Sequence, residues 1–345
     1  MRKNDCLAVI LNWNGADDTV ECVKSIVRSG ESLDVLVIDN GSTDNTLRVK
    51  LDKAFFDSDG SLLETTLKGV DSLEVRKVYE FESVNIFLLE TVENLGFSKG
   101  CNLGVRFSHN NGYYFSLILN NDTVVTPNFL GRLKGGLSSH FDFMSFPQIR
   151  YFSSPERIWN CGGRVTGYGR VKYYCANAKC EVMDDRPAFE VGFATGCCFL
   201  VRTADFVEIG LFTEKFFFGE EDVELSFRVN KSKRNINCVP SSIIYHKVGS
   251  STDSLGDVVL RKGFIHYLNR IINMKTQLSF FKWKAWRRLV LIKVFLRLIF
   301  KYKCDFWYAL NYVKSLSFLS ENLNSVSKSL FFCILNNGLA GLSRK

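Results

Sequence analysis

Several short stretches gather side chains able to bind or move charge. "VILNWNG" ends on Asn12-Trp13-Asn14, and "VLVIDNGSTDNT" carries Asp39-Asn40-Gly41-Ser42. "VENLGFSKGCNLG" offers Asn94, Gly96 and Asn102, and "LILNNDT" ends an apolar run on Asn120-Asn121-Asp122. Further on, Thr195-Gly196 precede a strand-like run, Phe216 to Phe218 precede Glu220-Glu221-Asp222, and "IIYH" ends on His246. Any one polar ending is ordinary turn chemistry, since Asn, Asp and Gly favour turns. Four in succession describe a single rim lined for a ligand, at the strand ends where open α/β sheets bind theirs. The types suit a nucleotide: an aromatic to stack on a base, a carboxylate to accept from its N–H, and Gly for close backbone approach. One carboxylate flanked by amides suits Mg2+ or Mn2+ shared with phosphate oxygens. Acids at a helix start stabilise its N-terminus. Beside an aromatic run, one of them also gains the raised basicity of a general base.

The elements that must position these residues are legible as periodicity. Residues 6–11 and 35–39 are short apolar runs that predict buried strands, and Asp17 to Arg28 between them has helical spacing. Strand, helix and strand make a βαβ unit, hence a parallel sheet covered by helices. Ile86–Leu89 and Tyr114–Leu119 predict further strands, and the polar stretch from Leu51 to Val84 predicts an insertion of helices and loops. A soft boundary is placed near residue 255, after which long helices follow. This gives a catalytic region over 1–255, with a nucleotide half to about 125, and a helical region over 256–345.

The totals narrow the class. The chain has 345 residues, 46% hydrophobic and 23% charged, which argues for a globular fold and against disorder. Its start has only a short apolar run, read as the first strand rather than a secretory signal. The 11 Cys lack paired metal spacing, so reduced thiols in a reducing cytosol are expected. Between Val258 and Cys304 there are 12 Lys and Arg and no Asp or Glu, so the net charge of +8 comes wholly from this segment. Interleaved with Trp283, Trp286, Phe295 and Phe300, these cations predict an anionic membrane surface as partner rather than nucleic acid. Lys293, Arg297 and Lys301 share a helical stripe, whereas Lys284 and Arg288 fall elsewhere, so no single amphipathic helix is expected over 280–302. The region beyond 280 is expected to be dispensable for the nucleotide site.

In order, "VILNWNG", "VIDNGSTDNT", "ENLGFSKGCNLG", "LILNNDT", "WNCGG", "ATGCCFLVR", "GLFTEKFFFGEEDVELSFRV" and "IIYHKVGSS" resemble a family-2 glycosyltransferase of GT-A fold, of the bacterial rhamnosyltransferase and O-antigen or capsule branch. The resemblance covers about residues 6 to 270. It implies a Rossmann-like, mostly parallel α/β sheet flanked by helices and a nucleotide-diphosphate-sugar donor, UDP- or dTDP-linked. Trp13 and Asp39 would meet the base, and Asn40 and Ser42 would continue that loop. Asn94, Gly96 and Asn102 would frame the donor side. Asp122 would be the metal-binding Asp of the D-x-D element, with Asn120 in place of its first Asp, and His246 would lie near the metal and diphosphate. Asp222 would be the catalytic base, with Glu221 beside it. "FIHYLNRII" matches a Tyr-Tyr-x-x-Arg-Asn element only at Tyr267 and Arg270. The expectation is a metal-dependent inverting transfer to a saccharide acceptor, lipid-linked, by an enzyme peripheral on the cytoplasmic face of the inner membrane. A nucleotidyltransferase would show a Gly-rich, basic phosphate loop after the first strand, which "LNWNGADD" lacks. A silent membrane scaffold would have no use for Asp122, Asp222 and His246 together.

Overall fold

Four apolar runs, too short for helices and almost wholly buried, set the centre of the molecule: β1 (Cys6–Asn12), β2 (Asp34–Asp39), β5 (Val84–Glu90) and β6 (Phe115–Asn120). In the computed structural model, which describes residues 4–55, 61–63, 75–81, 84–167, 169–248 and 257–339, they pair in parallel in the order β6-β1-β2-β5. Strands buried on both faces read as continuous apolar runs rather than alternation. Their covers are α1 (Ala16–Arg28) and α2 (Leu47–Phe55) on one side and α3 (Phe97–Asn110) on the other, giving two separate apolar cores. In α3, Gly100 and Gly104 lie against Leu11 and Val9, where a Cβ would stand 2.4 and 2.3 Å from their methyls. That close approach seats the helix on β1.

The stretch from Leu51 to Val84 corrects expectation. After α2 it supplies β3 (Ser61–Leu63) and β4 (Val75–Phe81), which add antiparallel to β5 and extend the sheet. On the other flank, β13 (Cys198–Arg202) is antiparallel between β6 and β8 (Asp142–Tyr151), and β14 (Asn235–His246) runs parallel to β8. Short strands β7 (Thr123–Val125), β9 (Ile158–Asn160) and β12 (Phe189–Val191) pair at this end, and β10 (Gly163–Val165) and β11 (Val171–Tyr173) form a separate hairpin. Helices α4 (Phe129–Gly135), α5 (Thr203–Glu208) and α6 (Glu221–Lys231) complete the layers.

Four further helices follow: α7 (Asp257–Gln277), α8 (Phe280–Phe300), α9 (Phe306–Asn322) and α10 (Lys328–Asn337). The boundary near residue 255 lies outside the described residues. Residues 280–300 form one continuous helix, α8, which carries apolar residues on two faces rather than one and so is not a simple amphipathic helix. Trp283 and Trp286 are buried among these helices, and the Trp283 indole donates to Ile271 O at 3.0 Å. Neither tryptophan is therefore available to a membrane, contrary to expectation.

Nor does the region beyond 280 stand apart from the strand ends. Val326 N donates to Lys215 O at 2.8 Å, and Phe217 N donates to Val326 O at 2.9 Å. Phe331 and Phe332 of α10 pack on the Phe217 ring at 5.1 and 5.4 Å. The aromatic run ahead of the acids is thus sewn to the start of α10.

Candidate active site

Each parallel strand delivers its polar ending to one edge of the sheet, and side-chain amides tie the loops together there. Asn12 is fully buried: its amide donates to Asp39 Oδ1 and Ser42 Oγ, while its oxygen accepts from Thr19 Oγ1 at 2.8 Å. Ser42 donates to Asp39 Oδ1 through both N and Oγ, and its Oγ accepts from Asn14 N. Asp39 Oδ2 has no hydrogen-bond partner among the described residues, so one oxygen is held and the other is left to accept. Trp13, 48% exposed, stands beside it with its ring 6.4 Å from Phe332. An aromatic face and a free carboxylate oxygen on neighbouring strand ends can hold a nucleobase by stacking and one hydrogen bond.

Asn40 is spent differently. Buried, it donates to Asn94 Oδ1 and Gly96 O and accepts from Leu95 N at 2.9 Å, clamping the β2 loop to the loop after β5. Gly96 has φ +82°, and a Cβ there would lie 2.2 Å from Phe217 O. Gly96→Ala should therefore cost at least about 2 kcal/mol and lower the thermal unfolding midpoint, since a left-handed backbone and a backbone clash coincide. An unchanged midpoint would show that the Phe217 loop is not held there. Asn102 turns away from the rim. Its amide clasps Phe212 O and Glu214 Oε1 and accepts from Phe212 N, a structural role where donor framing was expected.

At the end of β6, Asn121 donates to Thr19 Oγ1 at 3.0 Å and pins the turn to α1, leaving Asp122 as the side chain at the rim. The register of β14 places His246 opposite Thr123, so its Nε2 lies 3.1 Å from the Asp122 carboxylate. Lys247 N donates to Asp122 O at 2.9 Å, and its ammonium binds Asp18 and Glu21 of α1, locking that pairing in place. Trp159 packs edge-on against the imidazole at 4.5 Å. His246 Nε2 stands 3.1 Å from both carboxylate oxygens and hydrogen-bonds Oδ2, while the buried Oδ1 takes no hydrogen bond of its own. A carboxylate oxygen left without a hydrogen bond beside an imidazole fits a divalent ion completed by substrate oxygens. No group of three or more His, Cys, Asp or Glu gathers among the described residues, so the protein alone would hold such an ion loosely.

The acids at α6 divide into three environments. Glu220, at φ +77° and buried, takes Arg270 Nε at 2.5 Å and Asn273. Arg270 thus serves α6 rather than the rim. Glu221 is buried with Oε2 unpartnered, and burial, then Asp222, pushes its carboxyl well above the usual range. It sits buried beside Asp222 at the start of α6. Asp222 reaches partial exposure and accepts from Val223 N at 2.8 Å and Gly196 N at 3.4 Å. Burial first, then Glu220, raises its pKa. Thr195 is nearly buried, with Oγ1 accepting from Cys197 N, and Cys197 O accepts from Asn120 N. One turn, 195–197, therefore links Asp222 to the strand end bearing Asp122.

Comparison with known proteins decides the architecture. No family model matches the chain. Over 62 residues it is 39% identical to N-acetylglucosaminyl-diphospho-decaprenol L-rhamnosyltransferase of Mycobacterium tuberculosis, a match of 18% of this chain and 20% of that protein. The matched part thus spans about a fifth of that relative's length. Among solved structures, GalNAc-T7 with UDP, GalNAc and Mn2+ aligns over 96% of this chain and 56% of its own, at 14% identity and a TM-score of 0.56. The mannosyltransferase PcManGT of Pyrobaculum calidifontis, with GDP-Man and Mn2+, aligns over 93% and 88%, at 12% identity and 0.53. TarS 1-349 of S. aureus with UDP-GlcNAc aligns over 99% and 89%, at 12% identity and 0.52. The fold is GT-A.

Within this GT-A fold the structure brings together Trp13, Asp39 and Ser42 at one loop pair, Asp122 and His246 at the next, and Asp222 beside Gly196. It takes Asn12, Asn40, Asn102 and Asn121 into the supporting layer. Sequence reasoning missed the Glu220–Arg270 pair, the Lys247 lock and the α10 phenylalanines. Fifty positions separate Glu220 from Arg270, and no local signal joins them.

Proposed function

We propose that the protein is a metal-dependent inverting glycosyltransferase that moves a sugar from a UDP- or dTDP-linked donor, of rhamnose or galactose type, to a hydroxyl of a saccharide acceptor. The observation that carries this reading is the pairing of a partly exposed, proton-hungry Asp222 with the Asp122–His246 ligand pair across one turn. Trp13 and the free oxygen of Asp39 would seat the base. Asp122 and His246 would hold a divalent ion, which neutralises charge on a departing diphosphate. Asp222 takes the proton from the acceptor hydroxyl as its oxygen bonds to the anomeric carbon, while the bond from that carbon to the diphosphate breaks. A single displacement inverts the configuration; retention by double displacement needs a nucleophilic carboxylate on the opposite face. We assign that part to no residue. The likeness to a rhamnosyltransferase named for a decaprenol-linked substrate supports a lipid-linked acceptor in surface-polysaccharide synthesis, which would be met at the cytoplasmic face of the inner membrane.

A donor screen tests this reading. UDP-, GDP- and dTDP-sugars are incubated with the protein, with and without Mn2+, and released nucleotide is measured. Metal-stimulated release from one donor class is expected. No release or binding with any of them would overturn the assignment.

A further inference from the structure

We propose that the outward face of α8, extended by the start of α9, is the surface on which the protein docks to an anionic bilayer. This deepens the membrane attachment in the functional reading, yet stands whether or not the cleft transfers sugar. Helix α8 turns Trp283, Trp286, Leu291, Val294 and Leu298 inward. On its other side Phe281, Leu289, Ile292, Leu296 and Phe300 recur at helical spacing, each between 46% and 83% exposed. Phe306 packs its ring against Phe295 at 5.6 Å, and with the exposed Trp307 it widens this apolar strip at the start of α9.

The cations of the region are sorted by side. Lys284 and Arg287 lie inward and share Glu321, and Lys275 donates to Glu321 O and Leu323 O. Lys282, Arg288, Lys293, Lys301 and Lys303 are exposed along the apolar strip and make no ion pair among the described residues. No acid lies between Val258 and Cys304 to offset them. A strip of large apolar side chains edged by unpaired cations matches an anionic headgroup layer over acyl chains. A nucleic-acid backbone would leave the phenylalanines and leucines uncovered. A second copy of the same face would set like charges opposite one another. No helix among the described residues is long and apolar enough to cross a membrane, so the surface would lie on the bilayer.

The test uses the full chain and sedimentation with vesicles of phosphatidylcholine alone or mixed with phosphatidylglycerol at low salt. Pelleting with the mixed vesicles only, reversed by high salt, is expected. The Ile292→Glu, Leu296→Glu variant should lose about tenfold or more in vesicle affinity, and the Arg288→Ala, Lys293→Ala variant should weaken it and flatten its salt dependence. Calorimetric binding of a nucleotide-sugar, measured on the same variants, should stay unchanged, which separates this proposal from the reading of the cleft. Wild-type protein left in the supernatant with anionic vesicles would overturn it. So would Glu variants that pellet like wild type, or a wild-type dimer by light scattering that those variants dissolve.

Discussion

Asp222→Asn lowers sugar transfer by about 10²–10⁴-fold while nucleotide-sugar affinity stays within a few-fold of wild type. Asparagine keeps the shape and one acceptor oxygen, enough for Val223 N at 2.8 Å but not also for the longer contact from Gly196 N at 3.4 Å, and it cannot accept a proton from an acceptor hydroxyl. A base acts in the transition state, so its loss falls on turnover rather than on ground-state binding. The wild-type rate should fall as pH drops through the Asp222 pKa. That acid limb should lie above the ordinary Asp value of about 4, because burial and then Glu220 raise the carboxyl. The same shift has a consequence for stability. A carboxyl whose pKa rises on folding holds its proton more tightly in the native state, so ionising it at higher pH weakens the fold. Above that pKa, Asp222→Asn should therefore be as stable as wild type or more so. Turnover near the wild-type rate in this variant would remove Asp222 from the mechanism.

Asp122→Ala should abolish the metal dependence of donor binding and lower turnover by about 10²-fold or more. Alanine takes away the carboxylate whose buried Oδ1 takes no hydrogen bond and leaves His246 as a lone ligand. The turn itself should persist, because Lys247 N is held by the Asp122 main-chain oxygen. Isothermal titration with and without Mn2+, alongside released-nucleotide rates, separates loss of the ion from loss of the fold. If wild-type turnover is unchanged in excess chelator, the Asn-Asn-Asp ending of β6 is only a turn.

Much of the sheet was legible because a strand buried on both faces leaves an unbroken apolar run, as in "VLVID" and "LILN". The additions β3 and β4 were not, since SLL is too short to read as a strand and VRKVYEF breaks its apolar positions with charges. At the rim, residue type gave the chemistry without its direction. Asn14, Asn40 and Asn102 carry the same amide, yet one ties to Thr43 at the exposed rim, one clamps two buried loops and one clasps the segment at Phe212. Only tertiary packing distinguishes them. The basic helices repeat the lesson: composition showed aromatics among cations, but not that both tryptophans point inward while Phe281 and Phe300 point out.

The seam between Lys215–Phe217 and Val326 also constrains how the protein is made. Val326 follows Phe216, to which it is bridged, by about 110 positions, so at about 5–20 residues per second a ribosome needs roughly 5–20 s to supply the partner. Early in that interval the nascent chain completes the last strand of the sheet, β14, while Phe216 to Phe218 still lack their cover. The acidic turn that follows them must wait for a helix translated much later. Until then the chain exposes an aromatic patch ahead of that turn, open to chaperones.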